Sequence, residues 1–140
     1  MELLIVTGMS GAGKSQAANA LEDMGYYCVD NIPPAIIPSF VELSARSGDL
    51  LNKMAIVTDI RGGVLFSEIE QVLNNLKNNS VAYKILFLDA ADDVLIRRYK
   101  ENRRRHPMAD AENMSLSAAV KKEREMLKKI RFMSDYIIDT

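Results

Sequence analysis

The chain has 140 residues, enough for one domain with a sizeable core, and its 48% hydrophobic and 26% charged residues are those of an ordinary globular protein. With 18 Lys and Arg against 19 Asp and Glu the formal net charge is −1, so bulk electrostatics favour neither nucleic acid nor a membrane surface. The single cysteine, Cys28, excludes an intrachain disulfide and suits a reducing cytoplasm, and no apolar run approaches the ~20 residues of a membrane span.

Leu3 to Val6 form a short apolar run that leads into Gly8-Met9-Ser10-Gly11-Ala12-Gly13-Lys14-Ser15, followed by a helical pattern. This is G-x-x-x-x-G-K-[ST] with a strand before it and a helix after it, the context in which the motif carries meaning. Gly8 and Gly13 allow a tight turn and close backbone approach, so successive N–H groups form an anion nest reinforced by the positive end of the helix. Lys14 is expected to reach the β- and γ-phosphates of a nucleoside triphosphate, and the Ser15 hydroxyl to ligate Mg²⁺. A ligand-free glycine-rich β–α turn needs neither Lys14 nor Ser15.

The helix is expected from Lys14 to Met24, with Ala17, Ala18, Leu21 and Met24 as its apolar stripe and Gly25 as its stop. Tyr26 to Val29 reads as a second strand ending at Asp30-Asn31, and Pro33-Pro34 prevents further pairing. Ile36 to Arg46 reads as a helix with Pro38 in its first turn. Lys53 to Asp59 is the third strand, Phe66 to Leu76 a helix closed by Asn78-Asn79, and Tyr83 to Leu88 the fourth strand. Asp92-Asp93 are expected to cap a helix to about Asn102. After a basic and polar loop, Ser115 or Ser117 opens a long helix to about Met133, and Tyr136 to Ile138 form the fifth strand. Alternating apolar strands and helices imply an α/β fold, a five-stranded parallel sheet between two helical layers. Ligands in such sheets sit at the carboxyl ends of strands, where Ser10, Asp30, Asp59 and Asp89 fall. The chain stops as the fifth strand finishes, which suggests the N-terminal half of something longer.

Other positions have chemical potential. Asp59 ends Ala55-Ile56-Val57-Thr58-Asp59, a Walker B-like pattern whose carboxylate would hold Mg²⁺; the alternative is a turn or cap residue. In the following Ile60-Arg61-Gly62-Gly63, Arg61 is a candidate contact to phosphate or base, and the glycines equally permit a simple bend. Asp30 is a candidate to orient an acceptor hydroxyl or a water, or else an Asx turn ahead of Pro33. The segment Arg97 to His106 carries six Lys and Arg against one Glu. It occupies the position of a kinase-type lid whose arginines, Arg104 among them, would stabilise charge on a transferring phosphate; an RNA patch and a plain solvated face remain open. Lys121 to Glu125 and Lys128-Lys129 read as the wet face of an amphipathic helix, without chemistry.

Taken together, GMSGAGKS, YYCVDNIPP, TDIRGG, ENRRRHPM and DYIIDT resemble the RapZ/YvcJ family of bacterial P-loop nucleotide-binding proteins along essentially the whole chain. The resemblance implies a kinase-like P-loop fold that binds ATP and GTP and hydrolyses both weakly. On it, ATP binding maps to Gly8 through Ser15 and a GTP contact to Asp59, Ile60, Arg61 and Gly62. Some members act as adaptors that deliver a small regulatory RNA to a ribonuclease; others influence competence or cell-wall metabolism. Family members carry a second, C-terminal domain about as long as this chain, to which RNA binding is mainly attributed, so the adaptor role does not transfer here. The expectation is a cytoplasmic nucleotide-binding regulatory domain with slow ATPase and GTPase activity. The rivals are a small-molecule or nucleotide kinase with Asp30 at the acceptor, and a non-catalytic module that signals to RNA or protein. Self-association is left open.

Overall fold

The computed structural model describes residues 2–30, 32–46, 53–58, 66–101 and 115–140. Strand β1 is Glu2–Gly8, followed by helix α1, Lys14–Asp23, and strand β2, Tyr27–Val29. A single 3-10 turn, Pro34–Ile36, precedes α2, Ile37–Arg46. Then come β3, Lys53–Val57, α3, Phe66–Asn78, β4, Tyr83–Asp89, and α4, Asp92–Glu101. The long helix α5, Leu116–Met133, and β5, Tyr136–Asp139, complete the described elements.

All the strand pairings are parallel, in the order β2-β3-β1-β4-β5. β1 is the central strand: Leu3, Ile5 and Val6 are each at most 4% exposed, and Met54 through Val57 on β3 and Ile85 through Leu88 on β4 flank them. Residues buried on both sides of a sheet have no polar face to alternate with, which is why these strands read as continuous apolar runs. By the right-handed rule for parallel crossovers, α1, between β1 and β2, belongs on one face of the sheet, and α2, α3 and α5, on the connections that lead back across it, belong on the other. The contacts of α3 with both α2 and α5 agree with that arrangement. β1 and β3 are neighbours whose outgoing connections leave in opposite directions, so the switch point of the sheet lies at their carboxyl ends.

The helices follow their apolar spacing. In α3, Ile69, Val72, Leu73 and Leu76 are buried at intervals of three, one and three residues. In α1, Ala18 and Leu21 face the core, whereas Met24 is 64% exposed and forms the C-cap instead of extending the stripe. Gly25 follows at φ 94°, the left-handed turn that ends the helix. Asp92 and Asp93 stand inside the first turn of α4 rather than before it, favourable for the helix dipole but not a side-chain cap. Ser115 is the residue that opens α5, its Oγ accepting from the Ala118 N–H at 3.2 Å. None of the described helices is long and apolar enough to cross a membrane. The edge strand β5 keeps Tyr136, Ile137 and Ile138 between 43% and 49% exposed.

Candidate functional site

The loop between β1 and α1 lies over the end of the central strand. Gly8 pairs with Leu88 of β4 and has φ 148°; a Cβ here would stand 2.2 Å from the Leu88 carbonyl oxygen. No other residue fits that approach. The Met9 N–H then donates to the same Leu88 oxygen at 3.0 Å, and the Ala12 N–H to Met9 O at 3.1 Å, which curls the chain back toward the helix. Met9 and Ala12 are buried at 1% and 0% exposure and act as the anchors of the loop in the core. Gly11 packs against the ring of Tyr99, which α4 supplies from across the loop.

Helix α1 starts at Lys14, with Gly13 at φ 100° in the N-cap position, no side-chain cap and no acidic residue in its first turn. Its first internal bond is Ala17 N–H to Gly13 O at 3.0 Å. The amides of a first helical turn have no acceptor within the helix, and among the described residues no side chain caps them. Lys14 folds along the loop, its Nζ 3.0 Å from Gly8 O and 3.2 Å from Met9 O. The ammonium therefore sits over the mouth of the nest rather than out in solvent. Ser15 is exposed on the first turn beside it. A glycine cradle, convergent amides, an ammonium and an accessible hydroxyl are the groups that an anionic, metal-bound polyphosphate requires.

Three side chains hold the loop from outside: Glu123 and Thr140, to which the sequence assigned no chemistry, and Arg98, which was read as part of the basic lid segment. Glu123 of α5 is 2% exposed, and its carboxylate accepts from the Ser10 N–H at 2.9 Å and the Ser10 Oγ–H at 2.5 Å. Arg98 of α4 donates from Nη1 to Gly11 O at 3.1 Å. The Thr140 Oγ–H donates to Ala12 O at 3.0 Å. The assignment of Lys121 to Glu125 to a wet face is thus wrong at Glu123. The signal was spacing: Val120, Glu123, Leu127 and Ile130 fall at intervals of three, four and three, one continuous buried stripe.

Arg124, next to Glu123, also turns inward. Its Nη1 donates to Asp89 Oδ1 at 2.9 Å, its Nε to Asp92 at 2.7 Å and its Nη2 to Ala90 O at 2.7 Å, while Arg131 Nε reaches Asp89 Oδ2 at 2.9 Å. Asp89 ends β4 and was grouped with the ligand-side acids. Burial works to raise its pKa, but hydrogen bonds from Arg124, the Ala90 N–H and Arg131 outweigh it and hold the carboxyl below the ordinary aspartate range. Burial works to lower the pKa of Arg124, but hydrogen bonds to Asp89 and Asp92 and their charges outweigh it and raise the value. The oxygens of Asp89 are engaged in joining α5 to the sheet.

Asp30 is exposed at the carboxyl end of β2, with β3 standing between it and the loop strand, about 10 Å across the sheet. Asp59, Ile60, Arg61 and Gly62 lie outside the described residues, as does Arg104 with the basic stretch 102–106; Arg97, Arg98 and Lys100 fall on α4.

Comparison with known proteins agrees with this geometry. A nucleotide-binding protein of Caldicellulosiruptor saccharolyticus is 51% identical over 140 residues, all of this chain and 48% of that protein. The chain spans about half the length of the curated relatives it matches. Among solved structures, shikimate kinase of Bacteroides thetaiotaomicron matches 98% of the chain and 85% of its own with a TM-score of 0.59 at 19% identity. A gluconokinase of Sinorhizobium meliloti matches 99% and 82% with a TM-score of 0.58 at 20% identity. These two likenesses establish the fold: α/β, P-loop and kinase-like. The sequence pattern of the RapZ-like N-terminal domain covers residues 1–140, and the chain belongs to that family.

Proposed function

We propose that the chain binds a nucleoside triphosphate, ATP and GTP alike, with Mg²⁺ and hydrolyses it slowly, as the regulatory nucleotide-binding half of a longer cytoplasmic bacterial protein. The observation that carries this reading is the loop itself: a backbone that only Gly8 permits, an uncapped α1 and Lys14 lying over it. When bound, the Mg-nucleotide supplies the phosphoryl group and the cation's charge. The loop backbone from Gly8 to Ser15 cradles the phosphates, and Lys14 exchanges its carbonyl partners for phosphate oxygens and neutralises charge there. Ser15 and Asp59 would hold the metal, and Ile60, Arg61 and Gly62 would contact a guanine nucleotide. Arg104, in the basic segment, would stabilise charge on the transferring phosphate. Phosphoryl transfer depends mainly on positioning and electrostatics, so a site with these groups and no dedicated base among the described residues would turn over slowly.

The exposed carboxylate of Asp30 at the end of β2 favours a second reading, a kinase in which Asp30 orients an acceptor hydroxyl. One assay separates them: phosphate release from Mg-ATP and Mg-GTP without acceptor, for the protein and its Lys14→Ala variant. Slow release from both nucleotides, falling about a hundredfold in the variant, supports hydrolysis. Lys14-dependent binding with release only when a hydroxyl acceptor is added supports the kinase. Release and binding that do not depend on Lys14 would remove both readings.

A further inference from the structure

A carboxylate beneath an anion-binding loop works against its ligand, since its charge repels phosphate and its burial carries a desolvation cost. Glu123 has that place: it is 2% exposed and bonded to both the N–H and the hydroxyl of Ser10, 113 residues away in sequence. Its helix is fixed against the sheet by the neighbouring Arg124 and by Arg131, both on Asp89 at the end of β4. β4 also supplies the Leu88 carbonyl that accepts from the Met9 N–H. Consecutive residues of the loop are therefore held from two sides, Met9 by the sheet and Ser10 by α5. From there the chain turns through Gly11 to Gly13 into the first amides of α1.

We infer that Glu123 is a positioning residue of the phosphate loop: its two hydrogen bonds to Ser10 preform the anion nest before nucleotide arrives, and it does so through geometry in spite of its charge. This rests on the reading of the loop as a nucleotide site. It separates geometry from charge in a way that substitution can read. Glutamine keeps an oxygen for the Ser10 N–H and offers an amide N–H to the Ser10 hydroxyl, and it removes the charge; alanine removes everything.

The test measures Mg-ATP affinity by titration with a fluorescent analogue, and hydrogen exchange of the amides of residues 11–15 in the nucleotide-free protein. Glu123→Ala is expected to weaken binding about tenfold and to speed exchange in the loop while the β1 and β4 amides keep their protection. Glu123→Gln recovers most of both losses. Alanine and glutamine variants that are equally impaired would overturn the inference, because the charge would then be what acts. So would a loss of protection spread evenly over the sheet, which marks a merely structural role. Lys14→Ala serves as the control: if it abolishes binding while Glu123→Ala leaves affinity unchanged, the inference fails and the nucleotide site stands. If Lys14→Ala does not alter binding, the nucleotide reading fails, and the exchange rates of the two Glu123 variants still decide whether the loop is held. Should Glu123→Ala not fold, Ser10→Ala removes the hydroxyl half of the contact alone. Faster loop exchange in that variant supports positioning, and wild-type exchange overturns it.

Discussion

At Gly8 the backbone and the neighbouring strand make the same demand. A side chain there would meet the Leu88 carbonyl at 2.2 Å and would adopt φ 148°, a region that L-residues rarely enter. Gly25 has φ 94° with nothing within 4 Å of its missing Cβ, so only the conformational cost applies. Gly8→Ala is therefore expected to destabilise the protein by roughly 3 kcal/mol or more, and Gly25→Ala by about 1 kcal/mol, measured by urea denaturation of each variant. Equal effects would mean that the contact with β4 does not constrain the loop. The role of Gly8 was legible in the sequence because the G-x-x-x-x-G-K-S spacing encodes it. Glu123 was not read, because a run of Lys, Lys, Glu, Arg and Glu looks solvated until the phase of the helix is traced through Val120 and Leu127.

Among elements, α5 has the widest reach. It starts at a cap, Ser115 Oγ accepting from Ala118 N–H, and ends two residues before β5. Between these it sends Glu123 to the loop and Arg124 and Arg131 to Asp89. Loss of the cap leaves an orphan donor at the helix start, so Ser115→Ala is expected to cost about 1 kcal/mol in denaturant melts, with Ser117→Ala close to neutral. The reverse result would move the start of the helix by two residues. Sequence patterns found every strand and helix described here to within about two residues, but they overextended the stripe of α1 to Met24 and gave no sign of the 3-10 turn Pro34–Ile36. Periodicity reports which face is apolar; it does not report where a chain runs out of core to cover.

For the molecule as a whole, Asp89 ties β4, α4 and α5 together, through Arg124 to Asp92 and directly to Arg124 and Arg131. Its pKa is lower in the folded protein than in the unfolded chain, so the unfolded state takes up the proton first as pH falls. The stability it contributes is complete above the ordinary aspartate range and is lost as pH drops through the depressed folded value. Thermal melts followed with falling pH should therefore show a steeper acid decline in the wild-type protein than in Asp89→Asn, which is expected to be about 2 kcal/mol less stable at neutral pH. Parallel declines would show that Asp89 is not a source of the acid sensitivity. The amino-acid sequence by itself determined the parallel α/β fold, the phosphate loop and the family, because strand apolarity, helical period and motif spacing are local properties of the chain. Only the tertiary structure decided which charges face inward. Whether an acid beside an apolar stripe is solvated or buried depends on what packs over it, and here Ser10 and Glu123, 113 residues apart, meet only once β1 and α5 are docked on the same sheet.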